Sequence, residues 1–187
     1  FAEAWFADKT SDWPRFMKLY LLSQNSETGI VCPLICTWGM VALLEKYADR
    51  PETRAILNDA KNGIDGVYAI GAQFVSEIQG GSDVPANLLE AVEEKGVWRL
   101  YGNKFFCSAA HADYAVITAK PKGSEKVALF VVPMWLPGNK EKEIRNSYTI
   151  DRIKRKLGTV ELPTAEITFN GTIAYQAIGV PMGPGFS

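Results

Sequence analysis

Histidine occurs once in this 187-residue chain and cysteine three times, and the net charge is close to zero. Each scarcity removes a class of function. His111 is the only imidazole, and no Ser or Cys is placed to use it as a base, so a nucleophile triad is excluded and the histidine reads as a surface or hydrogen-bonded turn residue. Three cysteines cannot all pair within one chain. Cys32 and Cys36, four apart at what reads as a helix start, lack the His or second Cys pair that a tetrahedral zinc site needs, and they behave as small apolar residues. The 20 Lys plus Arg against 21 Asp plus Glu leave no global field that would draw in nucleic acid or an anionic membrane. No apolar run approaches the roughly 20 residues that cross a bilayer. The aromatics of the first 13 residues are interrupted by Glu3, Asp8, Lys9 and Asp12, so the expectation is a soluble, cytoplasmic protein with no membrane partner. An initiator Met is also missing, and the chain stops on Gly183-Pro184-Gly185-Phe186-Ser187, a breaker-rich run more typical of a connection than of a finished terminus. A fragment of a longer polypeptide is expected.

What is present is an apolar fraction of 47%, enough to bury a sizeable core, organised in two halves. Residues 1 to about 66 carry helical signals. Ser11 can cap a helix with Pro14 in its first turn and Phe16, Met17, Tyr20 and Leu21 at helical spacing. A second helix opens near Pro33 and runs to about Ala48, with Ile35, Trp38, Val41 and Leu44 as its apolar stripe and Lys46 near its negative end. A third starts at Pro51-Glu52 and stops at Asn62-Gly63, a pair suited to a left-handed helix end.

From about Val67 short β-type runs alternate with Gly, Pro and Asn: 73–77, 88–92, 97–101, 104–108, 114–119, 127–133, 144–150 and 165–169. Near-regular spacing of short strands suggests a barrel. The run Val127-Ala128-Leu129-Phe130-Val131-Val132 is apolar throughout and is expected to be buried on both faces, whereas Thr164-Ala165-Glu166-Ile167-Thr168-Phe169 alternates and is expected to be half exposed. The fold class is α+β, a helical N-terminal portion followed by an antiparallel β-barrel-like domain.

Two segments carry chemistry. In Gln73-Phe74-Val75-Ser76-Glu77-Ile78-Gln79-Gly80-Gly81-Ser82-Asp83-Val84 a strand breaks into a loop whose glycines let backbone amides converge on an anion, with the Ser82 hydroxyl as a further donor. An ordinary turn is the competing reading, since a P-loop lysine is absent. In Gly102-Asn103-Lys104-Phe105-Phe106-Cys107-Ser108 a flat aromatic, Phe106, can stack on a planar ring system while Ser108 donates a hydrogen bond to it; core packing is the alternative. The basic run Arg152-Ile153-Lys154-Arg155-Lys156 could grip phosphates, against the simpler reading of a solvated face.

In this order and separation, Ser76-Glu77, Gly81-Ser82-Asp83 and Gly102-Asn103-Lys104-Phe105-Phe106-Cys107-Ser108 resemble the flavin site of the acyl-CoA dehydrogenase family. Ala112-Asp113, Val132-Pro133, Lys156-Leu157-Gly158, Ala165 to Phe169 and Gly179 extend the likeness, as does the segment from Cys32-Pro33 to Thr37. The motif spelling is most similar to the alkylation-response branch of that family. The resemblance implies FAD as cofactor, with Gln73, Phe74, Val75 and Ser76 lining the flavin and Gly81 and Ser82 at its pyrophosphate. Ser82 would also reach the coenzyme A arm of the substrate, and Phe106, Cys107 and Ser108 would flank the isoalloxazine. Ser76 and Ser108 stand where the family has Thr, and Phe106 stands for Trp. By the same resemblance, 1–66 would be part of an N-terminal helical domain, 67–180 the flavin-binding middle domain and 181–187 the start of a connection to a C-terminal helical domain. That domain would bring the catalytic base, so no catalytic residue is assigned here, and Glu77 and Asp83 read as organisers of the loop. The implied activity is α,β-dehydrogenation of an acyl-CoA thioester with transfer to an electron acceptor, in a homotetramer. The alternative is an alkylation-response flavoprotein that binds FAD and DNA and has little dehydrogenase activity.

Overall fold

The computed structural model describes residues 12–25, 28–63 and 69–177. Ser11, Gly179 and the expected domain limits at 66/67 and 180/181 lie outside the described residues.

Among the described residues three helices precede the sheet: α1 (Asp12–Gln24), α2 (Thr28–Tyr47) and α3 (Pro51–Asn62). The third has the expected limits. Pro51 fits the first turn, where no amide partner is lost, and Gly63 takes φ 81° while its N–H caps Asp59 O at 2.8 Å. The second starts a turn earlier than Pro33 suggests. The proline sits inside the helix, and the earlier turn is held from outside by Glu161, whose carboxylate accepts the Thr28 N–H at 3.1 Å. This adds Gly29 to Cys32 to the apolar stretch and corrects the expectation about long apolar runs: α2 has 20 residues and is apolar enough, by length and composition, to cross a membrane. Its buried side chains nevertheless pack within the fold: Met40, Val41 and Leu44 join Ile56 and Ala60 of α3 in one cluster.

The seven strands among the described residues are β1 (Gly71–Phe74), β2 (Glu90–Glu94), β3 (Val97–Ser108), β4 (Tyr114–Pro121), β5 (Ala128–Pro133), β6 (Tyr148–Ile153) and β7 (Thr164–Gln176). The pairings β4-β2-β3-β7-β5-β4 close a ring, with β1 alongside β4 and β6 on β7. The sheet is mixed rather than antiparallel, because β4 runs parallel to both β1 and β2. Its β5, β6 and β7 partnerships with their neighbours are antiparallel, as expected.

The apolar run at β5 has two cores to serve. Ala128, Phe130 and Val132 point into the barrel beside Phe74, Ile117, Ile167 and Phe169. Leu129 and Val131 face the helices, with Val116 of β4, Met40 and Leu44. Burial on both faces thus follows from a sheet wall covered by helices. In β7, by contrast, Ala165, Ile167 and Phe169 are buried while Glu166 and Thr168 face outward, the half-exposed alternation expected. The helical layer meets the barrel closely at Gly71, where a Cβ would stand 3.0 Å from Thr37 Cα, and Thr37 Oγ1 accepts the Gly71 N–H at 2.8 Å.

Candidate functional site

The two motifs meet in space. Phe105 N–H donates to Ser76 O at 2.9 Å, tying the middle of β3 to the chain leaving β1. Beside this bond lies a polar network buried in an otherwise apolar wall. Lys104 Nζ contacts Glu77 Oε1 at 2.7 Å, Thr118 Oγ1 at 2.9 Å and Val75 O at 3.1 Å. Glu77 in turn accepts the N–H groups of Leu88 at 2.6 Å and Leu89 at 3.1 Å. Asn87 Nδ2 donates to Thr118 Oγ1 and to Val75 O, at 2.7 and 3.0 Å, while its Oδ1 has no partner. Burial works against the Glu77 charge, but the Lys104 ammonium and the two amides outweigh it and hold the carboxyl below the usual range. For Lys104 burial prevails over the attraction of Glu77, and its pKa falls below that of an ordinary lysine.

The network fixes both ends of the glycine loop. Glu77 N–H and Gly80 O, and Gly80 N–H and Glu77 O, close the turn at 3.3 and 3.0 Å, with Gly80 at φ +129°, a conformation that favours glycine. Gln79 Nε2 donates to Ala86 O at 3.1 Å, and Asp83 accepts the Ala86 N–H through its backbone oxygen. Glu77 is therefore the loop's side-chain organiser, while Asp83 contributes backbone only. A Cβ on Gly81 would overlap the Ser76 hydroxyl, so the loop packs directly on the end of β1.

Gly81 and Ser82 are exposed on this loop, and Ser76 and Val75 are half-buried at its root. Phe106 is 45% exposed on β3. Ser108 Oγ lies 3.1 Å from Thr164 Oγ1, which also receives Lys156 Nζ at 2.9 Å. Phe74 and Cys107 are fully buried, so only their backbone can face a ligand, and burial pushes the Cys107 thiol up to about 12. Gln73 is exposed on the helix-facing side of β1. With Val75, Val116, Thr118 and Leu129 it lines an apolar trough of about 260 Å³ whose far wall is Gly39 and Leu43 of α2. Val84, at the far end of the loop segment, also lines this trough; Ser76 to Asp83 and the Phe106–Ser108 stretch do not.

His111 is exposed in the turn after β3, where Ala112 N–H reaches Ala109 O at 2.9 Å. The basic run is exposed at Arg152, Ile153 and Arg155, as a solvated face would be, and three of its four cations are engaged: Arg152 and Lys154 both pair with Glu166, at 2.6 and 2.7 Å, and Lys156 donates to Leu162 O at 2.8 Å. Lys154 also stands 3.3 Å from the Phe105 ring centroid. Cations committed in this way leave a DNA grip at this segment without support. Cys32 is more than a small apolar filler. A hydrogen bond from the Cys36 thiol outweighs burial and, helped by the Lys156 charge, brings it down to about 7, whereas Cys36 is raised. Cys32 should therefore be the first thiol alkylated by iodoacetamide, with a rate that rises as pH passes 7, and Lys156→Met should shift that rise to higher pH. Peptide mass spectrometry would check the order; equal labelling of Cys32 and Cys107 would contradict it.

The profile of the acyl-CoA dehydrogenase middle domain matches residues 72–172, just over half of the chain. Among curated proteins, the putative acyl-CoA dehydrogenase AidB of Escherichia coli K12 is 28% identical over 170 residues, covering 83% of this chain and 29% of that protein. Acyl-CoA dehydrogenase family member 11 of Caenorhabditis elegans is 32% identical over 171 residues, covering 84% and 27%. The crystal structure of C. elegans ACDH-11 in complex with C11-CoA matches with a TM-score of 0.78 at 30% identity, over 89% of this chain and 29% of that one. The chain thus spans under a third of the length of these curated relatives.

Proposed function

Because this chain belongs to the acyl-CoA dehydrogenase family, we propose that it supplies the flavin-binding surface of an FAD-dependent enzyme that introduces a Cα–Cβ double bond into an acyl-CoA thioester. The observation that carries this reading is the convergence of the two motifs: one buried ion pair, Glu77–Lys104, holds the glycine loop against the strand that presents Phe106 and Ser108. The residues fit the cofactor. The loop leaves Gly81 and Ser82 exposed, with the Ser82 hydroxyl as a donor to a pyrophosphate, Gly81 lets the loop sit against Ser76, and the part-exposed Phe106 can stack on a planar ring. When bound, FAD would accept the hydride leaving the substrate β carbon.

The chain's own residues bind and orient. Gln73 and Val75 face the trough, whose apolar walls suit an acyl or pantetheine segment and exclude water from it; the relative crystallised with C11-CoA makes an acyl-CoA the natural occupant. No carboxylate lines the trough among the described residues, so the α proton is taken by a group from elsewhere in the polypeptide or assembly. An electron acceptor and a homotetramer complete the proposal, together with a cytoplasmic site of action. Titrating FAD into the protein should quench flavin fluorescence saturably. Phe106→Ala should weaken binding by about 0.5–1.5 kcal/mol beyond the lost contact area, and Ser108→Ala by about 0.5–1.5 kcal/mol. Quenching that is absent, or untouched by both changes, would sink the assignment.

A further inference from the structure

A second recess, of about 230 Å³, lies where β6 meets the turn after β3, and it shares no lining residue with the trough. Its polar feature is Arg145. The guanidinium carbon stands 5.6 Å from the Trp135 ring centroid and 5.4 Å from that of Tyr148, and Nη1 donates to the Tyr148 hydroxyl at 2.7 Å. A backbone bridge between Trp135 and Arg145 fixes the base of this arrangement. Two aromatic side chains, one of them through its hydroxyl, thus hold the cation in place, while no ion pair among the described residues supplies it with a carboxylate. His111, the only imidazole in the chain, opens onto the same recess, and Ile150, Ile153 and Pro163 give it an apolar side.

A guanidinium held in place pairs best with a planar or tetrahedral oxyanion through two parallel N–H bonds. The space exceeds the roughly 150 Å³ that accommodates benzene in an apolar cavity, so the anion can carry a flat apolar body. We propose that this recess is a second ligand site that takes a small aryl oxyanion, a carboxylate or phosphate on an aromatic ring, with Arg145 and His111 on the oxygens and the ring against the Ile150 side. The site is independent of the flavin reading and stands or falls without it.

The test titrates phenyl phosphate, benzoate, inorganic phosphate and benzyl alcohol into the 187-residue protein and follows the Trp135 indole N–H by NMR, assigned with Trp135→Phe. Phenyl phosphate and benzoate should saturate the Trp135 shift, inorganic phosphate should bind more weakly, and benzyl alcohol should not bind. Arg145→Gln should weaken phenyl phosphate by about tenfold or more, and Arg145→Lys, which keeps the charge and loses the fork, by a smaller factor. His111→Gln should weaken it by a few-fold; the residue is exposed in a turn, so this variant decides the matter if Arg145→Gln does not fold. Unchanged affinity in folded Arg145→Gln or in His111→Gln, no movement of the Trp135 signal, or benzyl alcohol binding as tightly as phenyl phosphate would overturn the site. Inorganic phosphate binding as tightly as phenyl phosphate would overturn the aryl part.

Discussion

Glu77→Leu should destabilise the protein by about 3–5 kcal/mol, because it strips a buried ammonium of its only counter-charge among the described residues. Lys104 is fully buried and would retain only Val75 O and Thr118 Oγ1. The amides of Leu88 and Leu89 would lose their acceptor at the same time. Urea denaturation read by circular dichroism checks the size, and a loss below about 1 kcal/mol would mean that water reaches the ammonium. The double replacement Glu77→Leu/Lys104→Met should recover part of the loss, since an apolar pair leaves no stranded charge. The pH dependence has a definite sign. In the native protein the Glu77 carboxyl lies below its ordinary value, so its contribution is present above the unfolded pKa and is lost as pH falls through the folded one. In Glu77→Leu the low pKa of Lys104 dominates: the unfolded chain binds the extra proton, and stability rises as pH climbs toward the ordinary lysine range.

That ion pair also marks how far the sequence is legible. Lys104 falls in phase with the buried Leu100 on β3, and a cation at an inward position signals a buried carboxylate somewhere. The signal is present, but it does not name Glu77, which lies 27 residues away and is brought near by the bond from Phe105 N–H to Ser76 O that ties β3 to the chain leaving β1. Parallel neighbours are set by long-range closure, which explains why the sheet was expected to be antiparallel throughout. Local punctuation misled in two places. Gly102-Asn103 reads as a turn, yet β3 runs through it as one strand from Val97 to Ser108 with a register shift at Leu100/Tyr101 and Gly102 at φ +124° packed on Leu89. Before β6, the expected strand from Ile144 is delayed to Tyr148, because Asn146 is buried and bonds to Pro133 O at 2.7 Å and Ile173 O at 2.9 Å instead of joining a ladder. The limits of α3 survived intact, as did the apolar patterns of β5 and β7, since burial on one or two faces is written into each strand residue in turn.

Gly81→Ala should lower FAD affinity by about tenfold or more, the largest effect expected of a single methyl group in this loop. The added Cβ would overlap Ser76 Oγ but would stand 3.4 Å from Ser76 Cβ, an ordinary contact. The obstacle is thus one hydroxyl. Either that hydroxyl rotates away or the loop lifts from the end of β1, and a lifted loop carries the Ser82 hydroxyl with it. Ser76→Ala/Gly81→Ala removes the overlap while leaving the glycine-loop backbone and the Glu77–Lys104 pair in place. If the loop's seat on β1 sets the flavin site, the double variant should bind FAD more tightly than Gly81→Ala alone, and its melting temperature should match that of Ser76→Ala. Recovery of stability without recovery of affinity would mean instead that the Ser76 hydroxyl itself contacts the cofactor. Affinity unchanged in Gly81→Ala would mean that the Ser76 hydroxyl rotates away and the loop keeps its seat, or that the pyrophosphate does not rest on this loop.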